Sequence, residues 1–235
     1  MCGRYITKEQ RAIERELAYI DVVRWPDMEA RYNVSPTQSV PVVRWAEGQF
    51  EGTMMRWGLI PYFARGVAPK YSTINARLES IETAPAYRGP WKRAQRCVLP
   101  ASGFYEWHLS ESGARQPFYI HLADQEVFGF AGLWDRSIGP QGPVESCTLI
   151  TMPANALLSQ IHNVEHRMPA ILQPADHEAW LRGDAAQARA LLHEYPADTM
   201  VAWPVSTRVN SPRNDGAALI EPLVVQPPPE QSTLL

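Results

Sequence analysis

Apolar residues first recur at helical spacing at Ile13, Leu17 and Ile20, and Thr7 with Gln10 three residues later has the form of a capping box. This pattern predicts an amphipathic helix over about 8–20. Beyond it the apolar positions bunch into short runs. Segments 40–45 and 50–57 flank a turn signal at Ala46-Glu47-Gly48, and 103–108 and 117–122 flank another at Glu111-Ser112-Gly113, which predicts two hairpins. Further strands are expected at 127–134, 146–151 and 168–172. Helical patterning returns over 154–162 and across 174–193, where Asp184 can cap a second segment. Strands and helices are grouped rather than alternating, which indicates an α+β fold.

Composition narrows this picture. The 235 residues are 45% hydrophobic and 20% charged, the balance of a globular chain long enough for one sizeable core. The 21 prolines are nearly twice the usual share of about 5%, favouring short strands and ordered loops. No apolar run approaches the roughly eighteen residues of a membrane span, so no membrane partner is expected. The segment MCGRYITKEQRA lacks a secretory apolar stretch, and Gly3 is one position too late for myristoylation, so a cytoplasmic location is expected. Cys2, Cys97 and Cys147 are odd in number and widely spaced, suggesting neither a disulfide framework nor a zinc ribbon. No repeat or coiled-coil pattern suggests an oligomer, and a monomer is expected. The net charge is −3, yet residues 1–96 hold 15 of the 22 Lys and Arg against 10 of the 25 acids, so a local basic face is compatible with the sequence.

Candidate chemistry begins at Cys2. Removal of Met1 would leave a residue with a free α-amine, of intrinsic pKa about 7.7–8.0, beside a thiol near 8.5, and that pair can trap an aldehyde. A small apolar residue at a terminus is the plain alternative. Glu106, between Tyr105 and Trp107, is either an acid/base in an apolar setting or a solvated or salt-bridged strand residue. Asn75 either orients a nucleophile through its amide or ends a strand or turn. His162, closing a helix-like run, is either an acid/base or a C-terminal cap.

Taken together, MCGRY, ARYNVSP, WGLIP, INARLES, LPASGFYEW, IHN followed by RMPAIL, and VNSPRNDGAALIEPL resemble the signature blocks of the SOS-response-associated peptidase (SRAP) family, from Cys2 to about Pro222. The resemblance implies a DNA damage response protein that covalently captures abasic sites in single-stranded DNA through Cys2, exposed by self-removal of Met1. It implies self-processing peptidase-type, crosslinking and lyase-type activities. Cys2 then matches the nucleophile, Asn75 the residue positioning it, Glu106 the carboxyl acid/base and His162 the histidine. Arg4, Arg77, Arg88 and Arg167 match basic positions near the family's DNA groove, and Asn33 a polar residue lining it. In WGLIPYF, at 57–63, aromatic residues offer stacking candidates for single-stranded DNA. No metal or other cofactor is called for. The amine of Cys2 can form an imine with the C1′ aldehyde of a ring-opened abasic sugar, and thiol addition then closes a thiazolidine. The expected fold is a single α+β domain over 1–222, with antiparallel and mixed sheets forming a barrel-like core flanked by helices. A flexible proline-rich tail is expected at 223–235.

One departure separates the chain from the family pattern. Two extra residues lie between Ile161-His162-Asn163 and Arg167-Met168-Pro169, bringing in a second histidine, His166. We prefer His162 because it keeps the preceding Ile and ends the helical run. The same insertion writes His162-Asn163-Val164-Glu165-His166, an H-x-x-E-H pattern that would suit a zinc hydrolase if one helix ran through it. A cysteine peptidase acting in trans through Cys2 and His162, and a non-covalent single-strand-binding module, are the other readings.

Overall fold

The computed structural model describes residues 2–223. In chain order the regular elements are β1 (Arg4–Thr7), α1 (Gln10–Glu16), β2 (Arg31–Val34), β3 (Ser39–Ala46), β4 (Gln49–Trp57), β5 (Asn75–Arg77), α2 (Arg88–Lys92), β6 (Arg96–Ala101) and β7 (Gly103–Leu109). They continue with β8 (Arg115–Leu122), β9 (Phe128–Gly139), β10 (Gly142–Pro153), α3 (Ala156–Ile161), β11 (Arg167–Pro169), β12 (Ile171–Leu172), α4 (His177–Arg182), α5 (Ala185–Ala190) and β13 (Met200–Pro204). Short 3₁₀ turns join several of them. The tail expected at 223–235 lies, from residue 224 onward, outside the described residues, as does Met1.

Strands β4, β3, β6, β9 and β10 pair in a ring, closed by β9 against β10. Closure removes the sheet edges. Every pairing in the ring is antiparallel except β10 with β4, where Ser146 lies opposite Arg56 and Cys147 opposite Trp57. Strand β10 then leaves β4 and pairs in parallel with β5, Leu149 opposite Asn75. A second sheet, ordered β13-β8-β7-β1-β2, has alternate residues on two faces. Tyr5 and Phe104 turn toward the barrel, where Tyr5 meets Trp57 and Phe130 edge-on at 5.3 and 6.0 Å. Ile6, Tyr105 and Tyr119 turn the other way and are covered by Val205 and Val209. This is the expected single α+β domain with a barrel core, of which the patterning implied the α+β class and the resemblance the barrel.

Local chemistry accounts for the elements. The β3–β4 hairpin turns on Glu47 and Gly48, with φ of 52° and 81°, the two left-handed residues of a tight hairpin. Asn155 caps α3 by accepting from Leu158 N–H, and Asp184 forms a full capping box with Gln187 on α5. The predicted run 168–172 divides at Ala170: β11 pairs with β10, and β12 pairs with β9. The predicted first helix is shorter than expected and its cap is elsewhere. Thr7 is the last residue of β1, buried opposite Arg31, and Glu9 occupies the N-cap without a side-chain bond. Pairing of β1 with both β7 and β2 satisfies its backbone along the strand, and this tertiary gain overrides the local capping signal.

Candidate active site

Cys2 lies two residues before β1, which is flanked by β7 and β2, so the segment that follows it is anchored within a sheet. Arg4 on β1 lies opposite Tyr105 on β7, and Glu106 is the next residue of β7. Cys2 is 1% exposed and Glu106 1%. Asn75, the first residue of β5, donates from Nδ2 to the Cys2 carbonyl at 2.8 Å. Tyr87 in turn donates its hydroxyl to the Asn75 carbonyl at 3.0 Å, fixing β5 from behind.

His162 is the C-cap of α3. The next residue, Asn163, clamps this end of the helix to β7: its Oδ1 accepts from Leu109 N–H and its Nδ2 donates to Leu109 O, both at 2.9 Å. The clamp brings His162 Nε2 to 3.9 Å from Glu106 Oε2. On its other side, His162 Nδ1 lies 3.0 Å from Arg167 O. Residues 2, 75, 106 and 162 thus converge on one buried site.

Burial dominates the electrostatics. It pushes the Glu106 carboxyl up to about 8, so this acid is mostly protonated at neutral pH. It also lowers the His162 imidazole, which is then neutral under the same conditions. The Glu106–His162 contact therefore joins an acid that can give a proton to a base that can take one, at a distance longer than a hydrogen bond. The Cys2 thiol is pushed well up, first by burial and then by Glu106. Asn75 Oδ1 and Glu106 Oε1 are both buried without a hydrogen-bond partner among the described residues. Unsatisfied acceptors of this kind are costly and cluster where function requires them.

Two depressions open beside the site. One of 120 Å³ is bounded by Glu106, His162 and Glu165; one of 400 Å³ is bounded by Gly3, Arg4, Pro36 and Asn210. Trp107 and Arg115 border both.

The expected DNA contacts divide by their surroundings. Arg77 and Arg88 are exposed, Arg77 facing Glu165 at 3.6 Å. Arg4 is turned inward, bonding Asn33 Oδ1, Val209 O and Asn210 O at 2.8, 2.6 and 3.1 Å. Asn33 is buried, and its Nδ2 reaches Val209, Ser211 and Asn214 carbonyls, so the pair holds the 209–214 loop on β1 and β2. Arg167 is buried too, with both Nη atoms on Glu79 at 2.6 and 3.0 Å and a bond to Thr151 O at 2.6 Å. In WGLIPYF, Trp57 belongs to the core, while Tyr62 and Phe63 are exposed.

The second histidine lies apart from the cluster. His166 is exposed, with φ of 49°, and its Nδ1 faces Ser159 O. Since α3 ends at Ile161, no helix carries His162 and His166 on one face, and the H-x-x-E-H pattern lacks the geometry of a zinc site. No group of three or more potential metal ligands converges among the described residues.

Sequence reasoning missed Tyr87, Glu79 and Arg115. Glu79 lies within the recognised INARLES block, but its tie to Arg167 spans 88 residues and leaves no local signal. Tyr87 and Arg115 carry no motif of their own.

A family model described as SOS response associated peptidase (SRAP) matches residues 1–212. The abasic site processing protein YoqW of Bacillus subtilis is 35% identical over 226 residues, covering 94% of this chain and 99% of its own. The abasic site processing protein YedK of Escherichia coli is 29% identical, over 95% of this chain and 100% of its own. Among solved structures, a crystal structure of a protein from Bacteroides thetaiotaomicron superposes with a TM-score of 0.80 at 26% identity, covering 95% of this chain and 100% of that one.

Proposed function

The chain belongs to the SOS response associated peptidase (SRAP) family, and from that premise we propose that it is a DNA damage response protein that processes abasic sites in single-stranded DNA, capturing them covalently through Cys2 once Met1 has been removed. The observation that carries this reading is the convergence of Cys2, Asn75, Glu106 and His162, with Asn75 gripping the Cys2 carbonyl and so leaving the amine and thiol of that residue for chemistry.

Loss of Met1 turns the Cys2 amide nitrogen into a primary amine. Asn75 Oδ1 and Glu106 Oε1, buried and without a partner among the described residues, are acceptors suited to the new N–H groups. The neutral amine attacks the C1′ aldehyde of the opened deoxyribose to give a carbinolamine. A proton delivered to its hydroxyl releases water and forms the imine; protonated Glu106 is the acid suited to this step. The thiol then adds to the imine carbon, its proton passing to the nitrogen, and the thiazolidine closes. The sum is aldehyde plus aminothiol giving ring plus one water. Neutral His162 is the base available to draw the thiol proton, directly or through Glu106 once that acid has given up its own.

The size of the site favours this substrate. The 120 Å³ depression at Glu106 and His162 is well below the roughly 300–1,000 Å³ of ordinary ligand clefts, and it suits a sugar that carries no base. A thiol held protonated chiefly by burial is poorly suited to a cysteine peptidase acting in trans, which needs a ready thiolate.

The test is incubation with an oligonucleotide holding one abasic site, followed by denaturing electrophoresis and intact mass. The expected adduct has the protein mass without Met1, plus the DNA, minus one water. Cys2→Ser should lose the stable ring and keep at most an imine that borohydride traps. Absence of adduct from protein shown to lack Met1 would falsify the proposal.

A further inference from the structure

The 120 and 400 Å³ depressions meet at a ridge made by Trp107 and Arg115. Trp107 is fixed there, donating its Nε1 hydrogen to Asn210 Oδ1 at 2.8 Å. Arg115 opens β8 opposite Leu109, while Trp107 pairs with Pro117, so both ridge residues lie on one face of the β7–β8 hairpin. Arg115 is exposed, and its guanidinium has no hydrogen bond or ion pair among the described residues.

Three other arginines near the site have partners, while Arg88 is exposed on α2 and borders neither depression. Arg4 is spent on the Asn33 and 209–210 oxygens, Arg167 on Glu79 and Thr151, and Arg77 on Glu165. An arginine held between two concavities, with its charge uncommitted, has the placement and chemistry of a phosphate clamp. A strand whose abasic sugar enters the smaller depression would lay the adjoining nucleotide along the larger one, and the phosphodiester between them would cross the ridge.

Building on the proposed capture of abasic single strands, we infer that Arg115 binds the phosphodiester flanking the captured sugar and sets the register of the strand. It is a binding and positioning residue and takes no part in the bond-making steps.

The probe for noncovalent binding is oligothymidine with no abasic site, titrated across salt concentrations with wild type, Arg115→Ala, Arg115→Lys and, as a charge control, Arg11→Ala. Arg11 is exposed on α1. Loss of one phosphate contact should lower the log–log salt slope for single strands by about 0.7, with an affinity loss of about fivefold at 0.1 M salt. Arg115→Ala should show both changes, and Arg115→Lys and Arg11→Ala should keep the wild-type slope. An Arg115→Ala slope equal to that of wild type overturns the inference, even where wild type forms the adduct. Failure of wild type to form the adduct instead overturns the capture reading, while the oligothymidine slopes remain a separate measurement of the clamp.

Discussion

Replacing Glu106 by Gln should make the protein more stable at alkaline pH, with a pH dependence set by burial of the wild-type carboxyl. Glu106 is 1% exposed, and its pKa moves from an ordinary 4.5 to about 8 on folding, chiefly through desolvation. Below pH 4.5 both folded and unfolded chains are protonated at this position, and the carboxyl carries no penalty. From 4.5 upward the unfolded chain releases a proton that the folded one retains, so wild-type stability falls with rising pH until the folded group ionises near 8. At about 1.4 kcal/mol per pH unit, the loss is about 3 kcal/mol at pH 7 and levels off at about 5 kcal/mol above pH 8. Gln fills nearly the same volume and does not titrate. Removal of Met1 sets an ammonium beside the carboxylate and reduces the plateau, so the N-terminal mass of each preparation must be matched. Urea unfolding at pH 4.5, 7 and 9 should show the Gln variant gaining on wild type across that interval. A wild-type-minus-variant difference that stays flat from pH 4.5 to 9 would refute the assignment of a buried, protonated Glu106. The same substitution should slow adduct formation at every pH, because Gln cannot donate the proton that expels water.

Other substitutions separate the roles assigned above. His162→Ala should slow capture of abasic DNA in a single-turnover assay, whereas His166→Ala, altering an exposed side chain whose Nδ1 faces Ser159 O, should leave the rate near wild type; the reverse result would move the active histidine to 166. Arg167→Ala should cost about 2–3 kcal/mol in chemical denaturation by stripping a charged donor from the buried Thr151 carbonyl, and a destabilisation within about 0.5 kcal/mol of zero would mean that this arginine is not structural.

The hairpins and the later helices were legible because their signals are local. Glu47-Gly48 marks a tight turn within two residues, and Asp184 and Gln187 mark a helix start within three. Strands β1, β2, β5, β6 and β13 escaped because their pairing is remote: RYIT becomes a strand only when residues 31–34 and 103–105 are beside it, RCVLPA only when β3 and β9 are, and NAR only when Leu149–Thr151 is. The same distinction governs the site. Blocks resembling the family signature pointed to Cys2, Asn75, Glu106 and His162 as candidates, but the blocks carry no information about how each side chain is engaged. Arg4 and Arg167 have the residue type of DNA contacts, and the fold turns both toward backbone carbonyls. Arg115 has the same residue type without a motif, and the fold leaves its charge free of partners among the described residues.

The proposed nucleophile at residue 2 presents a physical difficulty, because chain termini fray and a fraying terminus cannot hold an amine against an aldehyde. The fold meets this by placing β1 inside a sheet, bonded on one side to β7 and on the other to β2. Arg4 then fastens the strand to the 209–210 backbone, and Asn75 holds the Cys2 carbonyl from a third element. Orientation of this kind replaces an encounter between free reactants with one between fixed groups, where much of the rate advantage of catalysis arises. It also gives Asn33 a consequence for chemistry without contact with substrate. The Asn33 amide holds the 209–214 loop through three carbonyls and accepts from Arg4, so its loss would loosen β1 and with it Cys2. On this argument, the VNSP segment and Asn33 belong to the machinery that immobilises the terminus, and DNA need never touch them for their replacement to slow capture.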